Sequence, residues 1–201
     1  MQVLTKRTGM YPLLPCQCGI LLGIVSVCGQ KHYRFVCRRC TYFTGKEITE
    51  MIKVGIIGAT GYAGAELVRI LTGHKNAQIE WYGSRSYIDQ KYADVYRNMF
   101  QIVDDTCMDD NMEELASRVD VIFTATPQGL CASLVNEGIL SKAKVIDLSA
   151  DFRLKDVSVY EEWYKIEHKA PQFLEEAVYG LCEVNREAVK KARLVANPGC
   201  Y

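Results

Sequence analysis

The chain has 201 residues, 49% of them hydrophobic and 24% charged. That is enough apolar sequence for one sizeable core with a small appendage, and it excludes a disordered chain, which needs low hydrophobicity and a large net charge. A formal net charge of zero gives no support to a nucleic-acid or polyanion binder.

The zero is the sum of two unlike segments. Residues 1–50 carry seven Lys/Arg against two acids, a balance of +5, together with five of the nine cysteines. Residues 51–201 carry 17 basic and 22 acidic residues, a balance of −5. The chain is therefore read in two parts, 1–50 and 51–201. No low-complexity linker and no internal repeat is visible.

In the first part the longest apolar run, 20–27, falls far short of the roughly 20 residues of a spanning helix, so no membrane segment is expected. Val25-Ser26-Val27 ahead of Cys28 lacks the small-residue pair of a signal-peptidase site. Cys16-x-Cys18 and Cys37-x-x-Cys40 admit a zinc-ribbon module with Cys28 spare. An odd count of five disfavours a disulfide framework. A third reading is that 1–50 is not native protein. Lys46-Glu47 can be encoded AAG-GAG, a ribosome-recruiting string, three codons ahead of Met51; Met51 is then the expected true start, and the leader is excluded from fold reasoning. No metal ligand is assigned.

From Met51 the pattern becomes orderly. The run 52–57 ends at Gly58 and reads as a buried parallel strand. A helix is expected over 63–71, strands over 77–82, 119–124, 143–148 and 194–196, and a helical stretch over 129–138. Residues 84–112 are polar, irregular and Tyr-rich and take no assignment. Strands alternating with helices predict an α/β fold, a Rossmann-type doubly wound parallel sheet.

Gly58-Ala59-Thr60-Gly61-Tyr62-Ala63-Gly64 has the form G-x-x-G-x-x-G, directly after a strand and opening a helix, the context a dinucleotide loop requires. Gly58 permits the tight exit, Gly61 close approach of a diphosphate, and Gly64 close helix packing; free amides and the helix dipole favour the phosphates. Some twenty residues on, where an NAD site has an acid, the chain reads Ser84-Arg85-Ser86. A guanidinium flanked by hydroxyls suits a ribose 2′-phosphate, so NADP(H) is the expected cofactor. At the other end, a strand-like run enters Asn197-Pro198-Gly199 and then Cys200. A cysteine after such a turn can sit at a helix start, where its thiolate is stabilised. Cys107, Cys131 and Cys182 have no metal-ligand spacing, and Cys131 reads as helix core.

Over 51–201 the sequence resembles the N-acetyl-gamma-glutamyl-phosphate reductases of arginine biosynthesis. The resemblance rests on KVGIIGATGYAGAELVRIL (53–71), GSRSY (83–87), VIDLSADFRLKD (145–156), YGLCEVNR (179–186) and VANPGCY (195–201). It implies that Cys200 is the catalytic cysteine. It also implies that Gly58, Thr60, Gly61, Tyr62, Ala63 and Gly64 form the cofactor loop, and that Ser84, Arg85 and Ser86 form the NADP-specifying turn. Ser149, Arg153 and Asn197 are implied near the substrate. Cys182 stands where Pro is expected and Gln128 where His is common.

The implied reaction has two stages. The Cys200 thiolate attacks an acyl phosphate and expels phosphate, and the resulting thioester accepts hydride from NADPH to give the semialdehyde. The partner is thus a small acyl phosphate, the full-length enzyme a homo-oligomer, and the compartment the reducing cytoplasm. The family continues past its cysteine into an α+β substrate and dimerisation domain that carries a histidine acid/base. His74 and His168 do not take that place and read as solvated surface residues. The chain, as a fragment, is therefore expected to bind NADPH weakly or not at all and to show no turnover. Aminoadipyl-phosphate reductases remain open, whereas Gly199 in place of Asn disfavours the aspartyl enzymes. A non-catalytic NADP-binding regulator with an N-terminal zinc module is the reading from a different class.

Overall fold

A computed structural model describes residues 51–199 in full and, before them, the backbone of two strands. Strands β1 (Leu21–Val27) and β2 (Gln30–Val36) pair antiparallel. The zinc and disulfide readings of Cys16, Cys18, Cys28, Cys37 and Cys40 lie outside the described residues, and so does Cys200. Residues 1–50 and 51–201 separate into two compact units.

The second unit is built on a seven-stranded sheet. Its strands are β3 (Ile52–Ile57), β4 (Ala77–Gly83), β5 (Cys107–Met108), β6 (Val121–Thr124), β7 (Lys144–Asp147), β8 (Val178–Tyr179) and β9 (Leu194–Ala196). The order across the sheet is β5-β4-β3-β6-β7-β9-β8, and every pairing is parallel. Chain order runs outward from β3 to β5 on one side and restarts at β6 on the other. The carboxyl ends of β3 and β6 therefore form a topological switch point, where open α/β sheets place their ligands. The expected doubly wound sheet is what the chain forms. The α+β domain of the resembling family is not among the described residues.

Helices α1 (Tyr62–Thr72), α2 (Tyr92–Val95), α3 (Met112–Arg118), α4 (Leu130–Leu134), α5 (Glu137–Leu140), α6 (Val157–Tyr164) and α7 (Cys182–Lys191) flank the sheet. Alternation along β3 sends Val54 and Ile56 into the core cluster that includes Val68 of α1, and Ile57 into the one that includes Leu115 of α3. Leu115 is fully buried. Its truncation to alanine is expected to lower unfolding free energy by about 3 kcal/mol in a urea titration.

The expected helix over 129–138 is two helices. Asn136 interrupts it by capping α5, its Oδ1 accepting from the Ile139 amide at 3.0 Å. Cys131 is fully buried, as read. His168 is a correction: the ring is buried, edge-on to Phe152 and Tyr160. Its Nε2 hydrogen donates to the Asp151 carbonyl at 2.7 Å and its Nδ1 accepts from the Ala170 amide at 3.2 Å. Polar neighbours in sequence conceal a position fixed by tertiary packing. His74 is exposed, as expected. Among the described residues no helix is long and apolar enough to cross a membrane.

Candidate functional site

The glycine loop leaves β3 at the switch point. Gly58 adopts φ +81°, the left-handed region that favours glycine. The Gly58 and Ala59 amides donate to the Gly83 carbonyl at 3.0 and 2.8 Å, which ties the loop to the end of β4. Gly61 caps α1 with no side-chain hydrogen bond, and among the described residues the Tyr62, Ala63 and Gly64 amides find no backbone acceptor outside the helix. These are the donors that a helix start offers to an anion. Gly64 is a close approach: a Cβ there would stand 2.0 Å from the Gly58 carbonyl oxygen. The Tyr62 ring is almost fully exposed.

Two tyrosines brace this loop from the stretch that the sequence leaves unassigned. The Tyr92 hydroxyl donates to the Ala59 carbonyl at 3.0 Å, and the Tyr96 hydroxyl to the Thr60 carbonyl at 2.9 Å. Their rings stack, with centroids 5.5 Å apart. Burial pushes the Tyr92 hydroxyl pKa upward, so it stays a donor. The sequence reading does not single out Tyr92 or Tyr96; the only signal is their spacing of four within a Tyr-rich segment. Tyr92→Phe is expected to cost about 1 kcal/mol in thermal unfolding, the worth of one buried hydrogen bond.

Ser84 and Arg85 follow β4 and part company. Ser84 is buried, its hydroxyl 2.7 Å from that of Thr60, so it locks the loop rather than facing solvent. Arg85 points outward, its Nε donating to Asp110 Oδ2 at 2.5 Å. Ser86 is exposed beside it. Among the described residues two buried side-chain oxygens lack partners, Asp110 Oδ1 and Thr126 Oγ1. Asp110 Oδ1 lies 3.2 Å from where a Cβ on Gly83, the last residue of β4, would stand, and Thr126 Cγ2 lies 3.6 Å from one on Gly58. Free amides at the start of α1, with close backbone approaches at Gly58 and Gly64, fit a dinucleotide bearing a diphosphate.

The other half of the site is the loop after β7. Asp147 and Asp151 are fully buried and Ser149 nearly so. Asp147 Oδ1 accepts from the Thr124 hydroxyl at 2.9 Å and the Ser149 amide at 3.0 Å, and Oδ2 from the Ser149 hydroxyl at 2.7 Å. Burial is the main cause that raises the Asp147 pKa, against the lowering effect of these bonds. Asp151 accepts from the Gly129 and Ala132 amides at 2.7 and 2.9 Å and from the Tyr160 hydroxyl at 2.9 Å. It therefore holds the start of α4, where Gly129 has φ +85°. Burial, with Asp147 and Asp151 nearby, pushes the Cys131 thiol well above its ordinary range, which makes it inert.

Arg153 clamps the turn that leads to Cys200. Its Nε donates to the Asn197 carbonyl and its Nη2 to the Leu148 carbonyl, both at 2.8 Å. Its Nη1 stands 2.8 Å from where a Cβ on Gly199 would be. The Asn197 amide donates to the Asp147 carbonyl at 2.8 Å and its side-chain amide to the Pro198 carbonyl at 3.1 Å. Ser149, Arg153 and Asn197 are thus brought together, but Ser149 has its hydroxyl committed to Asp147 and to the Asp151 amide. A separate cavity of about 290 Å³, which includes Met51, His74 and Ile102, opens at the amino-terminal edge of the strands and touches none of the expected site residues.

The description "Semialdehyde dehydrogenase, NAD binding domain" matches residues 53–192, and the chain belongs to that family. Within it, the chain is 78% identical over 152 residues to the N-acetyl-gamma-glutamyl-phosphate reductase of Lachnospira eligens and 74% identical over 151 residues to that of Lachnoclostridium phytofermentans. Each alignment takes in 75% of this chain and 44% of the relative, so the chain spans less than half the length of these curated relatives. Two solved structures share the fold. One is aspartate semialdehyde dehydrogenase II of Vibrio cholerae, complexed with ASA (TM-score 0.52, 20% identity, 75% of this chain and 42% of that one). The other is aspartate semialdehyde dehydrogenase of Candida albicans with NADP (TM-score 0.51, 17% identity, 70% and 36%).

Proposed function

We propose that the chain is the NADP(H)-binding and nucleophile-bearing part of an N-acetyl-gamma-glutamyl-phosphate reductase. The observation that carries this reading is the glycine loop itself, which leaves β3 at the switch point and offers amide donors at the start of α1, with Arg85 exposed after the neighbouring strand β4. The 78% identity to the Lachnospira eligens reductase supports the substrate class, a small acyl phosphate. Homo-oligomeric assembly and a cytoplasmic setting belong to the same proposal.

Within it, Gly58, Gly61 and Gly64 let the backbone approach the diphosphate, and the Thr60, Tyr62 and Ala63 segment presents the helix start. Thr60 and Ser84 lock to each other and fix the loop's far side. Arg85 and Ser86 face the ribose 2′-phosphate. The reduced nicotinamide, when bound, supplies the hydride. Cys200 supplies the thiolate that displaces phosphate from the acyl group and holds the acyl chain as a thioester. Arg153 sets the Asn197-Pro198-Gly199 turn ahead of it by two backbone bonds, and Ser149 shapes the loop through Asp147.

Titration with NADPH and NADH tests the cofactor reading. Binding to the chain alone is expected to be weak but still tighter for NADPH than for NADH, and Arg85→Ala to remove about 1.5–3 kcal/mol, roughly ten- to a hundredfold, of that preference. Equal affinities in the unsubstituted chain contradict it. No turnover is expected from the 201-residue chain alone. Both ring nitrogens of His168 are bonded within the fold, and His74 lies by the cavity at the opposite strand edge, so neither serves as the acid/base. Reductase activity of the purified chain contradicts that expectation.

A further inference from the structure

Resting on the cofactor reading above, we infer that Asp110 is a positioning residue for the adenosine end of the cofactor, holding Arg85 by its Nε so that the outer edge of the guanidinium faces the 2′-phosphate. The pair is asymmetric: the Arg85 side chain is 61% exposed and that of Asp110 only 11%. Asp110 is therefore the fixed member and Arg85 the one whose freedom it restricts. A solvent-facing arginine otherwise samples many rotamers, and ordering it on binding opposes affinity.

The segment that leads into Asp110 is tied to β4 and to the residue after it. The Ser84 amide donates to the Met108 carbonyl at 2.7 Å, and Trp81 Nε1 to the Asp109 carbonyl at 2.9 Å. The Asn111 amide donates to Asp109 Oδ1 at 3.0 Å, just before α3 begins. Contact is at Nε, which leaves both terminal nitrogens of a five-donor fork for a phosphate, the bidentate edge. The second Asp110 oxygen is buried without a partner over Gly83. A carboxylate held that way is costly for structure alone. Its placement is explained by the arginine it aims.

The test uses the two adenosine halves as probes, 2′,5′-ADP and 5′-AMP, titrated into the full chain and followed by amide NMR. The unsubstituted chain is expected to bind 2′,5′-ADP more tightly, and Arg85→Ala to erase the difference. Asp110→Asn is expected to weaken 2′,5′-ADP about fivefold, the scale of one coupled pair, to leave 5′-AMP binding within about twofold, and to have no further effect once Arg85 is alanine. Retained 5′-AMP binding reports an intact site. If Arg85→Ala erases the difference but Asp110→Asn leaves 2′,5′-ADP unchanged or tighter, or weakens both probes alike, the positioning role is overturned and the cofactor reading stands. If the unsubstituted chain does not prefer 2′,5′-ADP, or Arg85→Ala leaves the preference intact, the cofactor reading falls and this inference with it.

Discussion

Asp151→Ala is expected to lower the unfolding free energy by about 3–5 kcal/mol, a large part of the roughly 5–15 kcal/mol that holds a domain of this kind together. The carboxylate is fully buried and accepts three bonds, from the Gly129 amide, the Ala132 amide and the Tyr160 hydroxyl. Removing it orphans three donors where water does not replace it, at about 1–3 kcal/mol each. The start of α4, the position of α6 and the loop carrying Ser149 and Arg153 all depend on this one group. Urea unfolding measures the effect. A loss under about 1 kcal/mol, the worth of a single ordinary bond, contradicts the role given to Asp151.

Gly64→Ala carries the second large effect. Its new methyl would stand 2.0 Å from the Gly58 carbonyl oxygen and 2.8 Å from Ala59 Cα. Both are backbone atoms, so α1 must move off the loop or the loop must open. About 3 kcal/mol of stability is expected to go, with cofactor affinity falling at least about tenfold. Gly61→Ala makes the contrast. Gly61 has φ −77°, and a Cβ there comes no nearer than 3.4 Å to the Gly58 oxygen. That variant is expected to fold normally in thermal unfolding and still lose cofactor affinity, because the methyl occupies the diphosphate's approach. Equal stability of the two variants would contradict the packing role given to Gly64.

Legibility in the sequence follows the range of the interactions involved. The unit β3–glycine loop–α1 declares itself through an apolar run and glycine spacing, both local signals, and β9 falls where its short run does. The stretch 84–112 stays opaque because what orders it is distant: Tyr92 and Tyr96 reach carbonyls more than thirty residues away. Helix α6 has a readable cap, the Asp156 carboxylate accepting from the Ser158 and Val159 amides, but its apolar face is weak. Helix α7 buries no residue and is interrupted at Asn185, so no apolar stripe marks it. At the site, Gly58 takes a positive φ and Gly64 a close backbone approach, and Arg85 is exposed. Ser84 and Ser149 turn inward, a fact set by hydrogen bonds that no local pattern contains, and Asp110 gives no sign in sequence of being Arg85's partner.

On the function proposed above, residues 51–201 bring the cofactor loop and the nucleophile to an acyl-phosphate reductase. Joining residues 51–201 to the remaining carboxyl-terminal part of the Lachnospira eligens reductase tests it most directly. NADPH oxidation dependent on N-acetyl-glutamyl phosphate, with phosphate released in equal amount, is the expected result, and Cys200→Ala should abolish it. A chimera that folds and binds NADPH but reduces nothing, or one whose activity survives Cys200→Ala, contradicts the account.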